Sequence, residues 1–256
     1  MKINPLPRPM SENADFDLFW YKKAHEESDL RREERETAAS GVSLGDHFLI
    51  VTEGTVTEPV YFDLLLDEMK LARAHVKVIP GDKPDPKRVI QTARRMVREL
   101  AERASKDQLK FGEPPAFEHV WAVIDTDKAV QEETWDEVMQ LASNEAVQLA
   151  ASSPCFEFWL LLHLSDSTAP LINGKKAKSV LERKLKMAYS TNAKVARAAT
   201  ETFIKQWPKA VNRARRVKEQ HIKAGTALPA DPSTDLDLLV RALNDSTPIA
   251  MRVLKR

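Results

Sequence analysis

The stretch that decides the fold is His47-Phe-Leu-Ile-Val-Thr-Glu-Gly-Thr-Val-Thr-Glu58. Residues 48–52 are uncharged and rich in β-branched and large apolar types, which is typical of a strand buried on both faces. Glu53 and Gly54 end this run abruptly, so a carboxylate directly follows a core strand. Open α/β sheets bind ligands just outside the carboxyl ends of their strands. The position of Glu53 therefore predicts a functional role.

A helix is predicted directly after this acidic turn. Thr57 is expected to be its N-cap, Pro59 suits the first turn, and apolar residues recur at helical spacing as far as Met69. Gly54 is expected to let the backbone turn sharply between strand and helix. The unit reads as strand, acidic turn and helix.

The chain beyond this unit alternates between strand and helix patterns. Predicted strands cover residues 75–79, 119–124 and 146–150, and predicted helices cover 87–106, 132–141 and 154–164. Alternation at this spacing indicates parallel strands joined by right-handed crossovers. The sequence thus predicts an α/β fold with an open, mainly parallel sheet flanked by helices.

A helical C-terminal elaboration is expected after residue 173. Its predicted helices are 178–187, 194–224 and a last one capped by Ser233 or Thr234. We therefore divide the chain into a charged N-terminal arm (1–46), an α/β catalytic core (47–172) and a basic helical region packed on the core (173–256).

Composition excludes several classes of protein. No run approaches the 18 uninterrupted apolar residues of a membrane span, and the first residues lack the basic flank and apolar run of a secretory signal. The single cysteine, Cys155, cannot form an internal disulfide framework or a cysteine-rich zinc cluster. We expect a cytoplasmic protein without membrane partners, with Cys155 as a small buried hydrophobe.

Charge is unevenly distributed although the net charge is only +1. Residues 175–223 hold 15 Lys or Arg against three Glu, a net charge of +12 for that segment. This asymmetry is compatible with a basic surface for a polyanion beside an acidic catalytic half. Solvated helix faces explain it equally well.

A second acidic strand end reinforces the first. The apolar run 119–124 is followed by Asp125-Thr126-Asp127, and two such strands can be neighbours in a doubly wound sheet. Clustered carboxylates repel one another unless a cation joins them, and Mg²⁺ or Mn²⁺ prefers oxygen ligands. Glu53, Asp125 and Asp127 are thus candidate metal ligands, with Glu53 as an alternative general base.

The order strand-Glu-Gly, then strand-Asp-x-Asp, resembles the TOPRIM fold of topoisomerases, primases and OLD-type nucleases. More specifically, the chain resembles the RloB-like family, which is associated with bacterial abortive-infection systems. The most specific match is the block Pro154-Cys-Phe-Glu157. The matching residues are 49–54, 57–59, 61–62, 125–127, 153–163, 231–234 and 239–240.

This resemblance implies a metal-dependent TOPRIM-type nuclease, a toxin-like effector often encoded beside an ATPase partner. It also favours Glu157 as a fourth catalytic acid, because a carboxylate in an apolar run needs a partner or a metal. The chain departs from the family pattern in three places. Thr55 stands where an acid is usual, Asp231 stands where asparagine is usual, and residues 1–46 replace a short arginine-rich leader.

Several further residues are candidates for the site. Glu58 is a possible additional acid or a simple helix-start acid, and His163 is expected to be a satisfied buried histidine. Candidate substrate-binding residues are Lys128 beside the acidic pair and Arg213, Arg215 and Arg216 on a basic helix. For these arginines a solvated helix face is the alternative.

Three functions remain open from sequence. The first is a Mg²⁺- or Mn²⁺-dependent nuclease acting on RNA, such as tRNA, or on DNA. The second is a non-catalytic module that binds nucleic acid or a partner ATPase. The third is phosphoryl transfer or hydrolysis on a nucleotide, against which the absence of a Gly-rich phosphate loop counts.

Overall fold

The computed structural model describes residues 46–254, apart from 73–74, 167–168, 228 and 248–250. The predicted N-terminal arm thus lies outside the described residues, save for residue 46. In the described part, the strands form one sheet in the order β2-β1-β3-β4-β5. The strands are β1 (Phe48–Thr52), β2 (Val76–Pro80), β3 (His119–Asp125), β4 (Gln148–Ser153) and β5 (Ser233–Thr234).

The sheet is mainly parallel, as predicted. Strand β1 lies inside the sheet and pairs in parallel with β2 on one side and β3 on the other, and β3 pairs in parallel with β4. Only β5 runs antiparallel, against the end of β4. Helices cover both faces, so the α/β prediction is confirmed and agrees with a TOPRIM-like open sheet.

Helices follow the strands in the order expected of a doubly wound sheet. None that the structure describes is long and apolar enough to cross a membrane. The helices are α1 (Thr57–Met69), α2 (Pro86–Ser105), α3 (Asp127–Gln131), α4 (Trp135–Asn144), α5 (Glu157–Leu164), α6 (Gly174–Leu185), α7 (Ala193–Glu201), α8 (Trp207–Lys223) and α9 (Leu236–Ser246).

Strand β1 is buried on both faces because its side chains alternate between two cores. Phe48 and Ile50 belong to the core that α1, α5 and α8 cover, whereas Leu49 and Val51 belong to the core beneath α2 and α4. All four are fully buried. This confirms the double-sided strand predicted from composition, and it fixes the backbone that ends at Glu53.

Two helix starts in the core differ from prediction. The predicted helix 132–141 corresponds to α4, which begins only at Trp135 because the chain turns at Glu133 with a left-handed φ of 55°; the short helix α3 before that turn was not predicted. The predicted start at Pro154 is wrong, since α5 begins only at Glu157. Strand β4 runs on to Ser153 to pair with β5, and this leaves residues 154–156 as a short connection.

The C-terminal region is less uniformly helical than predicted. Ser233 and Thr234 form β5 rather than a side-chain cap for the whole last helix, although the Thr234 hydroxyl accepts a hydrogen bond from the Leu236 N–H at 3.2 Å. The predicted helix 194–224 is interrupted by a 3₁₀ turn at Ile204–Gln206. Pro208 follows that turn and has no N–H to continue a helical ladder, so α8 starts anew there.

Candidate functional site

The structure brings Glu53 and Asp125 side by side at the carboxyl ends of β1 and β3. Because the parallel register pairs Thr52 with Val123, Glu53 comes level with the end of β3. The Glu53 N–H donates to the Val123 carbonyl at 2.9 Å, and its Oε2 accepts from the Asp125 N–H at 3.1 Å. The two acidic strand ends are thus joined by a direct hydrogen bond.

Asp125 is held from its other side by the connection between β4 and α5. Its Oδ1 accepts a hydrogen bond from the Phe156 N–H at 2.8 Å. Burial raises the pKa of Asp125 well above its usual value, and the nearby Glu58, Glu157 and Glu53 raise it further. The carboxylate therefore lies in a pocket of like charge.

Glu58 belongs to this cluster more firmly than its helix-start position suggested. Only 4% of it is exposed, and its Oε1 accepts from the Gly54 N–H at 2.8 Å. The Thr57 hydroxyl donates to its Oε2, so Thr57 orients this acid and is not the helix N-cap, a position that Val56 occupies. Burial is the main reason that the pKa of Glu58 is raised.

Gly54 is required for space rather than for an unusual turn. A Cβ atom built on it would lie 2.0 Å from Glu58 Oε2 and 2.4 Å from Oε1. Any other residue would displace that carboxylate, because Gly54 and Glu58 are packed together across the turn. The sequence pattern Glu-Gly therefore creates room for a second acid.

Glu157 and Asp127 complete the cluster from two helix starts. Glu157 is the first residue of α5, and its charge raises the pKa of both Asp125 and Glu58. Asp127 is the first residue of α3, whereas Asp125 is the last residue of β3, so the two acids stand on different elements. Its N–H donates to the Pro154 carbonyl at 3.2 Å, which places it beside the same connection.

Burial and like charge also raise the pKa of Glu53. Burial raises the pKa of Glu53 from 4.5 to about 7, against the lowering effect of the Asp125 N–H. The charges of Glu58, Asp127 and Asp85 add to the increase. At neutral pH this acid is therefore close to half-protonated in the protein without a cation.

The donor set fits a hard divalent cation in chemical type, because it consists of carboxylate oxygens. Within the described residues, however, no group of three or more His, Cys, Asp or Glu side chains is arranged to hold a metal ion. Mg²⁺ commonly uses one or two protein carboxylates and completes its shell with water and substrate phosphate. An open site of that kind needs fewer than three of these carboxylates, and the assignment of Glu53, Asp125 and Asp127 as ligands stays a prediction.

A comparison with protein families identifies the chain. The family profile described as RloB-like protein matches residues 48–243, about three quarters of the sequence. The chain belongs to the RloB-like family. No curated protein and no solved structure matches it. The profile spans the five acids of the cluster and both ends of the sheet.

Tyr189 is a residue of this RloB-like site that sequence reasoning missed. It follows α6 and is 1% exposed, and its N–H is fixed by Glu182 Oε1 at 3.1 Å. Its hydroxyl lies beside Thr57 but makes no hydrogen bond of normal geometry with the described residues. Burial, followed by the charges of Glu157 and Glu58, raises its pKa, so Tyr189 remains a neutral donor. The available signal was that Tyr189 is the single tyrosine of the basic segment 175–223.

Lys128 and Asp85 form an ion pair at the edge of the RloB-like acidic cluster. Lys128 is exposed, and its Nζ lies 3.3 Å from Asp85 Oδ2. Asp85 also caps α2 by accepting from the Arg88 N–H at 3.1 Å. Burial acts to raise the pKa of Asp85, but these hydrogen bonds outweigh it and the pKa is lowered. The sequence did not single out Asp85, because this residue lies in a loop rich in turn-forming residues.

The predicted substrate-binding arginines lie at the opposite end of α5 from Glu157. Arg213 donates to the carbonyls of Leu162 and His163 at 2.7 and 3.0 Å and pairs with Asp166. It thus caps the carboxyl end of α5, about 12 Å along that eight-residue helix from the acidic cluster. The more exposed pair, Arg215 and Arg216, borders a shallow cavity of about 530 Å³.

His163 and Asp231, which the sequence also singled out, have structural roles. His163 is a satisfied buried histidine, with Nδ1 3.0 Å from the Trp159 carbonyl and Nε2 3.2 Å from the Tyr61 hydroxyl. Burial lowers its pKa to about 3, so the ring is neutral. Asp231 accepts the N–H groups of Leu171 and Ile172 at 3.0 and 2.7 Å. A carboxylate suits this double acceptance because both of its oxygens accept, whereas the nitrogen of an asparagine amide cannot.

Proposed function

We propose that this RloB-like protein is a nuclease that cleaves phosphodiester bonds in nucleic acid with the help of Mg²⁺ or Mn²⁺. One observation carries the proposal: Glu53 and Asp125 are hydrogen-bonded neighbours at adjacent strand ends, inside a cluster whose members raise one another's pKa. Such a cluster is unfavourable alone and favourable around a cation.

Each acid has a distinct part in this proposal. Glu53, Asp125 and Asp127 would hold the cation, and a bound divalent cation neutralises phosphate charge and activates water. Glu58 is fixed by Gly54 and Thr57, so it would keep the neighbouring acids in place. Glu157 starts α5, where the helix dipole stabilises a negative charge near the phosphate path.

Glu53 has two alternative parts. With a pKa of about 7 in the absence of a cation, it can accept a proton from water near neutral pH. If it instead binds the cation, its pKa falls and it serves as a ligand. Glu53 cannot be both the proton acceptor and a cation ligand in the same reaction step. The pH dependence of cleavage distinguishes these two roles.

The substrate class follows from the surface charge. The basic segment 175–223 and the exposed Arg215 and Arg216 suit a nucleic-acid backbone, while Lys128 lies at the cluster itself. We extend the proposal to an effector of an anti-phage abortive-infection system with a partner ATPase. This extension rests on the family resemblance.

Cleavage assays with matched variants test the nuclease proposal. We expect the purified protein to cut RNA, tRNA or DNA in Mg²⁺ or Mn²⁺ and to stop in EDTA. Glu53→Gln and Asp125→Asn should abolish cutting, whereas Glu68→Gln, an exposed change later on the same helix as Glu58, should not. Equal cleavage by all variants would mean that another site or a contaminant is responsible.

A non-catalytic binding module is the second candidate. The observation that favours it is that no three described acids, histidines or cysteines are arranged as a metal set. Nucleic-acid binding that persists in EDTA, with no cleavage of any substrate, would support it. Loss of that binding in Arg215→Ala and Arg216→Ala would locate the surface.

A further inference from the structure

A groove runs along the edge of β2 that faces away from β1. Its volume is about 610 Å³, and α1, α2 and the connection before β3 form its walls. Apolar lining includes Leu66, Val78, Leu100 and Phe117. In the described sheet β2 pairs only with β1, so this groove adjoins an edge strand. Proteins usually cover such edges, because an open edge invites pairing with another chain.

Phe111 stands at the lip of the groove with its ring fully exposed, at 108%. A single exposed apolar residue is unremarkable on a protein surface. Here it adjoins an apolar groove and an edge strand, so the three features form one contiguous surface. That surface fits an apolar segment with large side chains.

The position of the N-terminal residues points to the segment that covers it. His47 enters β1 beside the groove, since its ring stacks on that of His75 at 4.9 Å and its carbonyl accepts from His119 N–H at 3.2 Å. His75 and Phe117 both line the groove. The described part of the chain therefore begins beside residues that line the groove.

The sequence of that stretch contains one fitting segment. Phe16-Asp-Leu-Phe-Trp-Tyr21 holds every Phe, Trp and Tyr that precedes Phe48. Each such ring buries about 150–250 Å² when it packs. Asp15 and Asp17 flank Phe16, and Lys77 in the groove has no ion-pair partner among the described residues. The 25 residues between Tyr21 and His47 span about 38 Å even when helical, so reach does not limit docking.

We propose that residues 16–21 of this chain bind in the groove and cover the edge of β2. The aromatic side chains fill the apolar part, and Asp15 or Asp17 pairs with Lys77. The bound segment then covers the β2 edge of the sheet. This proposal is independent of nuclease activity, because no residue of the cluster contributes to it.

Site-directed crosslinking in the full-length protein tests the proposal. A photoreactive benzoylphenylalanine replaces Phe111, and mass spectrometry identifies its partner after irradiation. We expect crosslinks to peptides containing residues 16–21 of the same chain, as judged from mixed ¹⁵N-labelled and unlabelled protein. The same probe at Ile172, which is 72% exposed and remote from the groove, should give none. Crosslinks between copies, or none to residues 16–21, would overturn the proposal.

Hydrogen exchange provides a second measurement. The double substitution Phe19→Asp and Trp20→Asp should release the segment and raise amide exchange in residues 76–79 by tenfold or more. Leu30→Asp, an apolar-to-acid change elsewhere in the same stretch, is the control and should leave exchange unchanged. Circular dichroism checks that the fold persists. Unaltered exchange in the double variant would contradict docking on β2.

Discussion

The raised pKa of Glu53 makes a specific prediction about stability and pH. Glu53→Gln replaces an acid of pKa about 7 by a neutral amide of the same shape. The amide oxygen can still accept the Asp125 N–H that now binds Glu53 Oε2. Without a cation the variant should therefore be more stable than the wild type at pH 8, and the two should converge near pH 4.5.

The sign and size follow from proton linkage. Between pH 4.5 and 7 the folded protein holds a proton on Glu53 that the unfolded chain has released, so stability falls as pH rises through this window. One pKa unit corresponds to about 1.4 kcal/mol, giving at most about 3 kcal/mol. Because Glu53 is partly exposed, screening reduces the expected gain to about 1–2 kcal/mol.

Urea denaturation at pH 5 and pH 8, each with EDTA or Mg²⁺, measures this effect. Mg²⁺ should stabilise the wild type at pH 8 and remove most of the advantage of Glu53→Gln, since the cation offsets the repulsion. The exposed Glu68→Gln serves as the control. A variant that is less stable than the wild type at pH 8 in EDTA would refute the electrostatic account of the cluster.

Three further predictions concern single residues. Gly54→Ala should displace the carboxylate of Glu58, because Oε2 of Glu58 lies 2.0 Å from the position of the added Cβ. Thermal-shift titration should then show weaker stabilisation by Mg²⁺, while the circular dichroism spectrum stays that of the native protein. Tyr189→Phe should change the free energy of unfolding by less than about 1 kcal/mol but reduce cleavage, whereas Tyr189→Ala should cost about 3–5 kcal/mol by opening a cavity. Arg213→Ala should lower the free energy of unfolding by about 1.5–3 kcal/mol, because it removes the cap of α5. Arg216→Ala should change that free energy by no more than about 0.5 kcal/mol but should weaken nucleic-acid binding. Urea denaturation measures the first effect and filter binding measures the second. Equal destabilisation by both arginine changes would contradict the distinct roles.

The sequence was sufficient to predict those elements whose residue pattern is local and repeated. The uninterrupted apolar run before Glu53 identified β1 to the residue, because a strand packed on both faces excludes charge along its whole length. The same logic located β3, and parallel pairing of the two strands made it reasonable to expect Glu53 and Asp125 together. Their shared hydrogen bond follows from that register.

Contacts between distant segments could not be read from the sequence. Ser233 and Thr234 resemble a helix start, but pairing with the end of β4 makes them a strand. Tyr189 lies 131 residues after Glu58 in the sequence. It is nevertheless close to Glu58 in the structure, because the loop after α6 folds back on the core. No local sequence pattern indicates that this loop packs against the core.

The sequence by itself determined that a carboxylate ends each of two core strands, since burial of a strand and the arrest of its apolar run are local properties. Only the tertiary structure decided which other acids join them and how strongly they interact. Glu58 becomes part of the cluster because Gly54 leaves space for it, and Arg213 becomes a helix cap because α8 packs against the end of α5. Burial and like charge, which raise the pKa of Glu53, arise only when these segments pack together.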